Sequence, residues 1–211
     1  YSHSKFAIHD PTLESVEKAA IINNDQTQVY IYDETMENGL YRGATLTIRR
    51  GPDPNNITRP FIVVEGFDAG HITDPADFDG DTSINSFEND VDFAGFTFRN
   101  SIFGNNPQYD LIYIDWKQGT ADMRDNSRVL ELALDWINEN KVGPEPNVLM
   151  GQSMGGVIGR YTLARMEQED PNFDPNNAAT SPHDVRLFVA HDSPMQGANI
   201  PLSLEHFTRH V

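Results

Sequence analysis

The sequence predicts an α/β fold in which a mostly parallel β-sheet carries helices on both faces and begins with an antiparallel hairpin. Short, continuous apolar runs suit strands that are buried on both faces, and segments of helical periodicity separate the later runs. Buried strands that alternate with helices form parallel sheets. The four apolar runs are residues 60–64, 109–115, 147–150 and 185–190.

The hairpin is predicted from two segments in which polar and apolar residues alternate, 28–34 and 40–50. Asn38 and Gly39 lie between them, and an Asn-Gly pair flanked by strands favours a tight turn. The weakly patterned residues 1–27 are interpreted as an N-terminal extension, and residues 28–211 as the core of a single domain.

Two helices are predicted from the spacing of apolar residues. The first includes residues 129–137 and ends near Lys141, Gly143 and Pro144, because a basic last turn, a glycine and a proline commonly terminate helices. The second begins directly after Ser153 and extends to about residue 166.

The composition excludes several classes of protein. The 211 residues include 15 basic and 32 acidic side chains, a formal net charge of −17, and such a surface repels nucleic acid and anionic lipid. The chain has no cysteine, which excludes a thiol nucleophile and cysteine-bound metals. No stretch approaches the ~18–20 apolar residues of a membrane span, so we expect no transmembrane segment. Acidic, cysteine-poor chains are common among exported bacterial proteins, and we expect secretion or display at the cell surface.

The residues with the clearest chemical meaning are Gly151-Gln152-Ser153-Met154-Gly155, which follow a predicted strand and open a predicted helix. In that context Gly-x-Ser-x-Gly is typical of a nucleophile elbow, a sharp strand-to-helix turn that raises a serine hydroxyl. Gly151 and Gly155 leave room for strand and helix to pack closely. The alternative is a turn in which Ser153 only caps the helix, but capping requires neither glycine.

Two backbone N–H groups are candidates for an oxyanion hole. The Met154 N–H lies at the N-terminus of the helix, where it can bind a developing negative charge. The second donor is expected in the loop after the strand at 60–64, and Phe67 N–H is the candidate, with Gly66 allowing a close approach. The alternative is an ordinary β-to-α turn.

These segments resemble the lipase and esterase branch of the α/β-hydrolases, and in particular secreted Bacteroidetes hydrolase-like proteins. The resemblance covers about residues 28–204 and rests on segments 63–68, 109–116, 151–156 and 191–199. It departs from the family pattern at Glu65 and at Met195, where lipases commonly have histidine. The resemblance implies an α/β-hydrolase fold and hydrolysis of small-molecule or lipid esters.

The acid and the histidine of the catalytic triad are expected outside this chain. The triad order in the fold is serine, acid, histidine. The run at 185–190 is the sixth of the usual eight strands, so the sheet is expected to be truncated after it. An internal alternative pairs Asp192 with His206, which have the right order, whereas His71 and His183 are interpreted as loop residues.

Residues 67–108 are interpreted as a lid-like insertion, because they are long for a connection between neighbouring strands. Their phenylalanines either shape an acyl or aromatic pocket or pack a helix such as 84–94 on the sheet. The phenylalanines are Phe67, Phe78, Phe87, Phe93, Phe96, Phe98 and Phe103.

Within the insertion, residues 77–88 match much of a calcium-loop pattern, with acidic residues at positions one, three, five and twelve. Thr82 stands at position six, which is usually glycine, and a solvated acidic loop is the alternative. No metal ligand is assigned for this reason.

Together these features predict a serine hydrolase that cleaves carboxylic esters through an acyl-enzyme on Ser153, without a cofactor. The alternative is a non-catalytic relative, an adhesion or binding domain that keeps the fold and lacks a catalytic base.

Overall fold

The computed structural model describes residues 21–23, 26–32, 43–68, 83–91, 102 and 107–198. The strands are β1 (Ile21–Asn23), β2 (Gln26–Ile31), β3 (Ala44–Arg49), β4 (Pro60–Val64), β5 (Asp110–Trp116), β6 (Asn147–Gln152) and β7 (Val185–His191). The helices are α1 (Ile84–Asp90), α2 (Met123–Asn140) and α3 (Met154–Glu169), and a short 3₁₀ helix spans Ala178–Thr180. Within these described segments, the helices all fall short of the length or the apolarity needed to cross a bilayer.

The strands form one mixed sheet with the order β1-β2-β3-β5-β4-β6-β7. β2 and β3 are antiparallel, with Gln26 opposite Arg49 and Ile31 opposite Ala44, whereas the Asn38-Gly39 turn lies outside the described residues. β3 is also antiparallel to β5, and β5, β4, β6 and β7 run parallel to one another. The predicted α/β fold with an N-terminal hairpin is confirmed. β1 and the start of β2 lie within the segment interpreted as an extension.

Apolar side chains of the central strands alternate between the two faces of the sheet. Ile62 and Val64 of β4 join the larger core cluster, which includes residues of α2 and α3. Val63 lies on the opposite face and packs with Ile84 and Phe87 of α1. Because successive strand residues point to opposite faces, β4 is buried on both, and the prediction of helices on both faces is confirmed.

The described part of the insertion packs on the sheet. Phe87 is buried, and its ring centroid lies 6.0 Å from that of Tyr113 in β5, as the helical interpretation of this segment predicts. Phe67 is exposed instead. The other five phenylalanines, and residues 77–82 of the calcium-loop pattern, lie outside the described residues.

α2 begins earlier than the apolar spacing predicts. The Asp122 side chain caps the helix and accepts a hydrogen bond from Arg124 N–H, which satisfies a donor of the first turn. The helix ends at Asn140, close to the predicted glycine and proline stop. The prediction of a basic last turn is wrong, because Lys141 is extended (φ −79°, ψ 149°) and its ammonium contacts Asp184.

β7 is less buried than its apolar sequence predicts. Leu187 is 53% exposed and Val189 is 37% exposed, whereas Phe188 packs against the main core on the other face. Among the described strands β7 pairs only with β6, so it forms one edge of the sheet. Among the described residues, those that cover β7 therefore lie on one of its two faces.

A buried ion pair connects β3 to α1. The Arg49 guanidinium contacts the Glu88 carboxylate and donates to Asn85 Oδ1 at 3.3 Å, and both charged side chains are almost fully buried. Breaking such a pair leaves a buried charge uncompensated. The pair therefore fixes α1 against this face of the sheet.

Replacing Glu88 by alanine is expected to lower the free energy of unfolding by about 3–5 kcal/mol, because it removes the carboxylate that offsets the buried Arg49 charge. Urea denaturation followed by circular dichroism measures the change. The matched control is Glu145→Ala, which removes a half-exposed pair with Arg59 at 3.6 Å and is expected to cost less than about 1 kcal/mol. Equal losses in the two variants would contradict this role of the buried pair.

Candidate active site

Ser153 lies at the turn between β6 and α3, where the sequence predicts it. Its backbone has φ 48° and ψ −120°, a conformation that side-chain-bearing residues rarely adopt and that stores strain. The residue is exposed, and its hydroxyl makes no capping hydrogen bond to α3. Ser153 therefore does not cap α3 through its side chain.

Gly151 and Gly155 make this sharp turn possible. A methyl group on Gly151 would lie 2.4 Å from Cα of Gly156, and one on Gly155 would lie 2.2 Å from the carbonyl oxygen of Glu65. Both distances are far inside van der Waals contact. The two glycines therefore let α3 pack directly on its own strand and on the loop that follows β4.

Two hydrogen bonds brace the turn from the neighbouring strand. Ser153 N–H donates to the carbonyl of His191 at 2.9 Å, and Ser193 Oγ donates to the carbonyl of Gly151 at 3.3 Å. His191 is the last residue of β7, and Ser193 belongs to the turn after it. The sequence does not reveal these contacts, since they depend on β7 lying beside β6.

The loop after β4 lies against Ser153. A methyl group on Gly66 would be 3.1 Å from Cβ of Ser153, so the glycine and the serine are close neighbours. Phe67 follows with 58% of its surface exposed, and Met154 is the first residue of α3. Both residues predicted to supply oxyanion donors are thus near Ser153. Phe67 follows Gly66, which lies against Ser153, and Met154 is the next residue in the chain.

Glu65 precedes this loop and is only 2% exposed. Its Oε2 accepts a hydrogen bond from Trp116 N–H at 2.8 Å. Burial, and next the nearby Asp115 carboxylate, raise the pKa of Glu65 to about 10. Glu65 is therefore a neutral acid at pH 7. The sequence alone does not predict this protonation state; it shows only that Glu65 replaces the histidine that lipases commonly have there.

His183 lies away from Ser153, whereas Asp192 directly follows β7, whose last residue, His191, accepts a hydrogen bond from Ser153 N–H. Asp192 is exposed and has φ 47°. His183 is buried near the C-terminal end of α3, with its Nε2 3.2 Å from Glu167 Oε1, and burial lowers its pKa. His206 and His71 lie outside the described residues.

A cavity of about 450 Å³ opens at the opposite end of the sheet. Its walls come from segments that precede β4, β5 and β6, and they include Arg59, Gln108 and Glu145. Ligands of open parallel sheets bind at the carboxyl ends of the strands. Ser153 lies at that end, so this cavity is separate from the candidate active site.

Replacing Gly155 by alanine is expected to lower the free energy of unfolding by about 1–3 kcal/mol or more, because the new methyl group meets backbone oxygens that cannot move aside. Gly159→Ala in the same helix is the matched control, since its methyl group would lie 3.0 Å from the Phe188 ring, which can shift. There alanine also favours the helix by about 1 kcal/mol over glycine. Chemical denaturation compares the two, and equal stability would show that the close approach at Gly155 is unimportant.

Glu65 is expected to make the protein less stable as the pH rises. The native state keeps the carboxyl protonated up to about pH 10, whereas the unfolded chain ionises it near the ordinary pKa of 4.5. The unfolded state therefore binds fewer protons between these values, and the contribution of Glu65 to stability, complete below pH 4.5, declines towards pH 10.

Urea denaturation of the wild type and of Glu65→Gln at about pH 6 and about pH 9 tests this expectation. Glutamine does not ionise, so the wild type is expected to lose more unfolding free energy over the interval than the variant. The same pH dependence in both proteins would show that Glu65 is not held neutral.

Known proteins resemble this chain at the level of structure. No protein-family model and no curated protein matches the sequence. A solved structure from a study of two fungal esterases of Rhizomucor miehei matches with a TM-score of 0.51 at 16% identity, covering 98% of this chain and 59% of that one. A thermostable carboxylesterase cloned from a metagenomic library gives a TM-score of 0.49 at 13% identity, covering 87% and 52%.

Identities this low show the fold alone. The order of the strands, the parallel pairing around β4 and the elbow at Ser153 agree with that fold. The chain has the α/β-hydrolase fold, over a length that corresponds to little more than half of these esterases.

Proposed function

We propose that this chain carries the nucleophile of a serine hydrolase that cleaves carboxylic esters through an acyl-enzyme on Ser153. The supporting observation is the state of that serine, which is exposed, has φ 48° and makes no capping hydrogen bond to α3. A strained backbone costs free energy and persists where the surroundings impose it, commonly at active sites. The esterases that share the fold support the substrate class.

In the proposed reaction, the Ser153 hydroxyl attacks the ester carbonyl carbon and its proton passes to a histidine base. The N–H groups of Met154 and Phe67 bind the oxyanion that forms on the carbonyl oxygen. Collapse of this intermediate breaks the ester bond, and the alcohol leaves with the proton from the histidine. Water, deprotonated by the same base, then attacks the acyl group and releases the acid and free Ser153.

The proposed histidine and acid lie in sequence after residue 211. This placement is supported by the triad order of the fold, serine, acid and histidine, and by the 59% of the fungal esterase that the chain covers. Asp192 with His206 is the internal alternative. We propose small-molecule or lipid esters as substrates, and secretion or display at the cell surface as the location.

The competing proposal is a non-catalytic binding domain. It is favoured by one observation, that neither Asp192, which is exposed, nor His183, which contacts Glu167, is a partner of Ser153 in the described residues. A protein of this kind would keep the elbow and lack turnover.

Ser153→Ala is expected to abolish labelling by a fluorophosphonate probe and to lower kcat on p-nitrophenyl esters by at least about 10³-fold, because the attacking oxygen is lost. The protein expressed from the complete open reading frame is the one to test. Ser181→Ala is the matched control, since Ser181 Oγ lies 3.0 Å from His183 Nδ1, a serine–histidine side-chain contact away from the elbow. Its labelling should persist. Labelling that survives Ser153→Ala, or a wild type that does not react, would favour the binding domain.

A further inference from the structure

Glu65 is a buried ionisable residue that the proposed reaction does not use directly. It follows β4, which ends at Val64, and precedes Gly66, the neighbour of Ser153. Burying a carboxyl group costs free energy unless hydrogen bonds compensate. An apolar residue at this position would avoid that cost, so the hydrogen bonds of Glu65 need an explanation.

Glu65 is held to the end of β5 by three hydrogen bonds. Its N–H donates to the carbonyl of Ile114 at 3.1 Å, its Oε2 accepts from Trp116 N–H at 2.8 Å, and its carbonyl oxygen accepts from the Trp116 indole Nε1 at 3.1 Å. Val64 is paired with Ile114 in the sheet. The hydrogen bond of the Glu65 side chain thus extends the contact between β4 and β5 one residue beyond the last paired residue of β4.

The same residue supports the nucleophile elbow. The carbonyl oxygen of Glu65 is the atom that a methyl group on Gly155 would meet first, so the first turn of α3 rests on it. Glu65 is therefore held between β5 and α3. The loop that carries Gly66 and Phe67 begins at this fixed point.

The protonation state of Glu65 suits these contacts. Burial and the carboxylate of Asp115 raise its pKa to about 10. The Oε1 oxygen of Glu65 is buried and receives no hydrogen bond from a donor in the described residues. A proton on Oε1 lets the neutral acid donate towards the nearby Asp115 carboxylate, while Oε2 accepts from Trp116 N–H. The neutral form therefore suits the surroundings of both oxygens, since it supplies the donor that Oε1 otherwise lacks.

Building on the proposed chemistry at Ser153, we propose that Glu65 is a positioning residue of that reaction. Its side chain, hydrogen-bonded to Trp116, fixes the loop from which Phe67 N–H binds the oxyanion. The oxyanion forms only as the reaction proceeds, so misplacing this donor lowers kcat more than it changes substrate binding.

Two substitutions separate the hydrogen bond from the volume of the side chain. Glu65→Gln stays neutral, and its amide accepts from Trp116 and donates towards Asp115. Glu65→Met has a similar length but makes neither bond. We expect Glu65→Gln to keep kcat within about threefold of the wild type and Glu65→Met to lower kcat by about 10- to 100-fold, less than the ~10²–10³-fold loss on removing an oxyanion donor. KM on p-nitrophenyl acetate should change by less than about threefold in both.

Thr162→Val is the matched control. It removes a buried hydrogen bond of 2.9 Å from Thr162 Oγ1 to Ser127 Oγ between α3 and α2, away from Ser153. The control is expected to lower the thermal midpoint and to leave kcat unchanged, since lost stability alone does not slow the folded enzyme. Circular dichroism shows which variants are folded.

The outcomes distinguish the positioning role from the proposed function. A wild type whose Ser153 reacts, together with a folded Glu65→Met variant of unchanged kcat, overturns the positioning role alone. A wild type that shows no Ser153-dependent labelling overturns the function and the role with it. If Glu65→Met does not fold, Glu65→Asp shortens the side chain by one methylene and withdraws its carboxyl group from Trp116 N–H, and an unchanged kcat in the folded Glu65→Asp variant overturns the role.

Discussion

The close approach of α3 to the loop after β4 is the constraint on which the site depends. At Gly155 there is no room for a side chain between the helix and the carbonyl oxygens of Val64 and Glu65. This contact sets where the helix begins and forces the sharp turn at Ser153, with its φ of 48°. A helix placed further away would let the serine relax into an ordinary cap, and its hydroxyl would then bind the N–H groups of the first turn.

Features that are encoded locally could be predicted from the sequence. The turn at Ser153 could be predicted because Gly151, Ser153 and Gly155 fall within five consecutive residues. The central strands could be predicted because a continuous apolar run indicates burial on both faces. The start of α2 could not be predicted from the apolar spacing, since the Asp122 cap precedes the first residues that show it. Leu187 shows a further limit, because apolar character does not tell whether another element covers the strand.

The parts of the site that could not be predicted depend on pairs of distant residues. Trp116 follows Glu65 by 51 positions, and the parallel pairing of β4 with β5 brings them together. His191 reaches Ser153 N–H only because β7 lies beside β6. A glutamate directly after one buried strand, with a tryptophan at the end of the next, is the one sequence signal that points to the first of these contacts.

β5 has a buried carboxyl group near each end, and the two have different surroundings. At the amino end, Asp110 accepts hydrogen bonds at 2.7–2.8 Å from the backbone N–H groups of Gly51, Thr58 and Arg59. This donor-rich setting ties the loops around β4 to β5. At the carboxyl end, Glu65 meets Asp115 and the N–H of Trp116, and only its neutral form suits that place.

The two ends of the sheet therefore contribute differently to stability. Asp110 compensates its own burial through N–H donors, whereas the carboxyl end combines a buried neutral acid with the strained backbone of Ser153. Both of the latter features cost free energy that the apolar core must offset. They occur together at the end where open α/β sheets bind their ligands. Selection for folding alone would remove such costs, so their location is a physical argument that function shaped this end of the sheet.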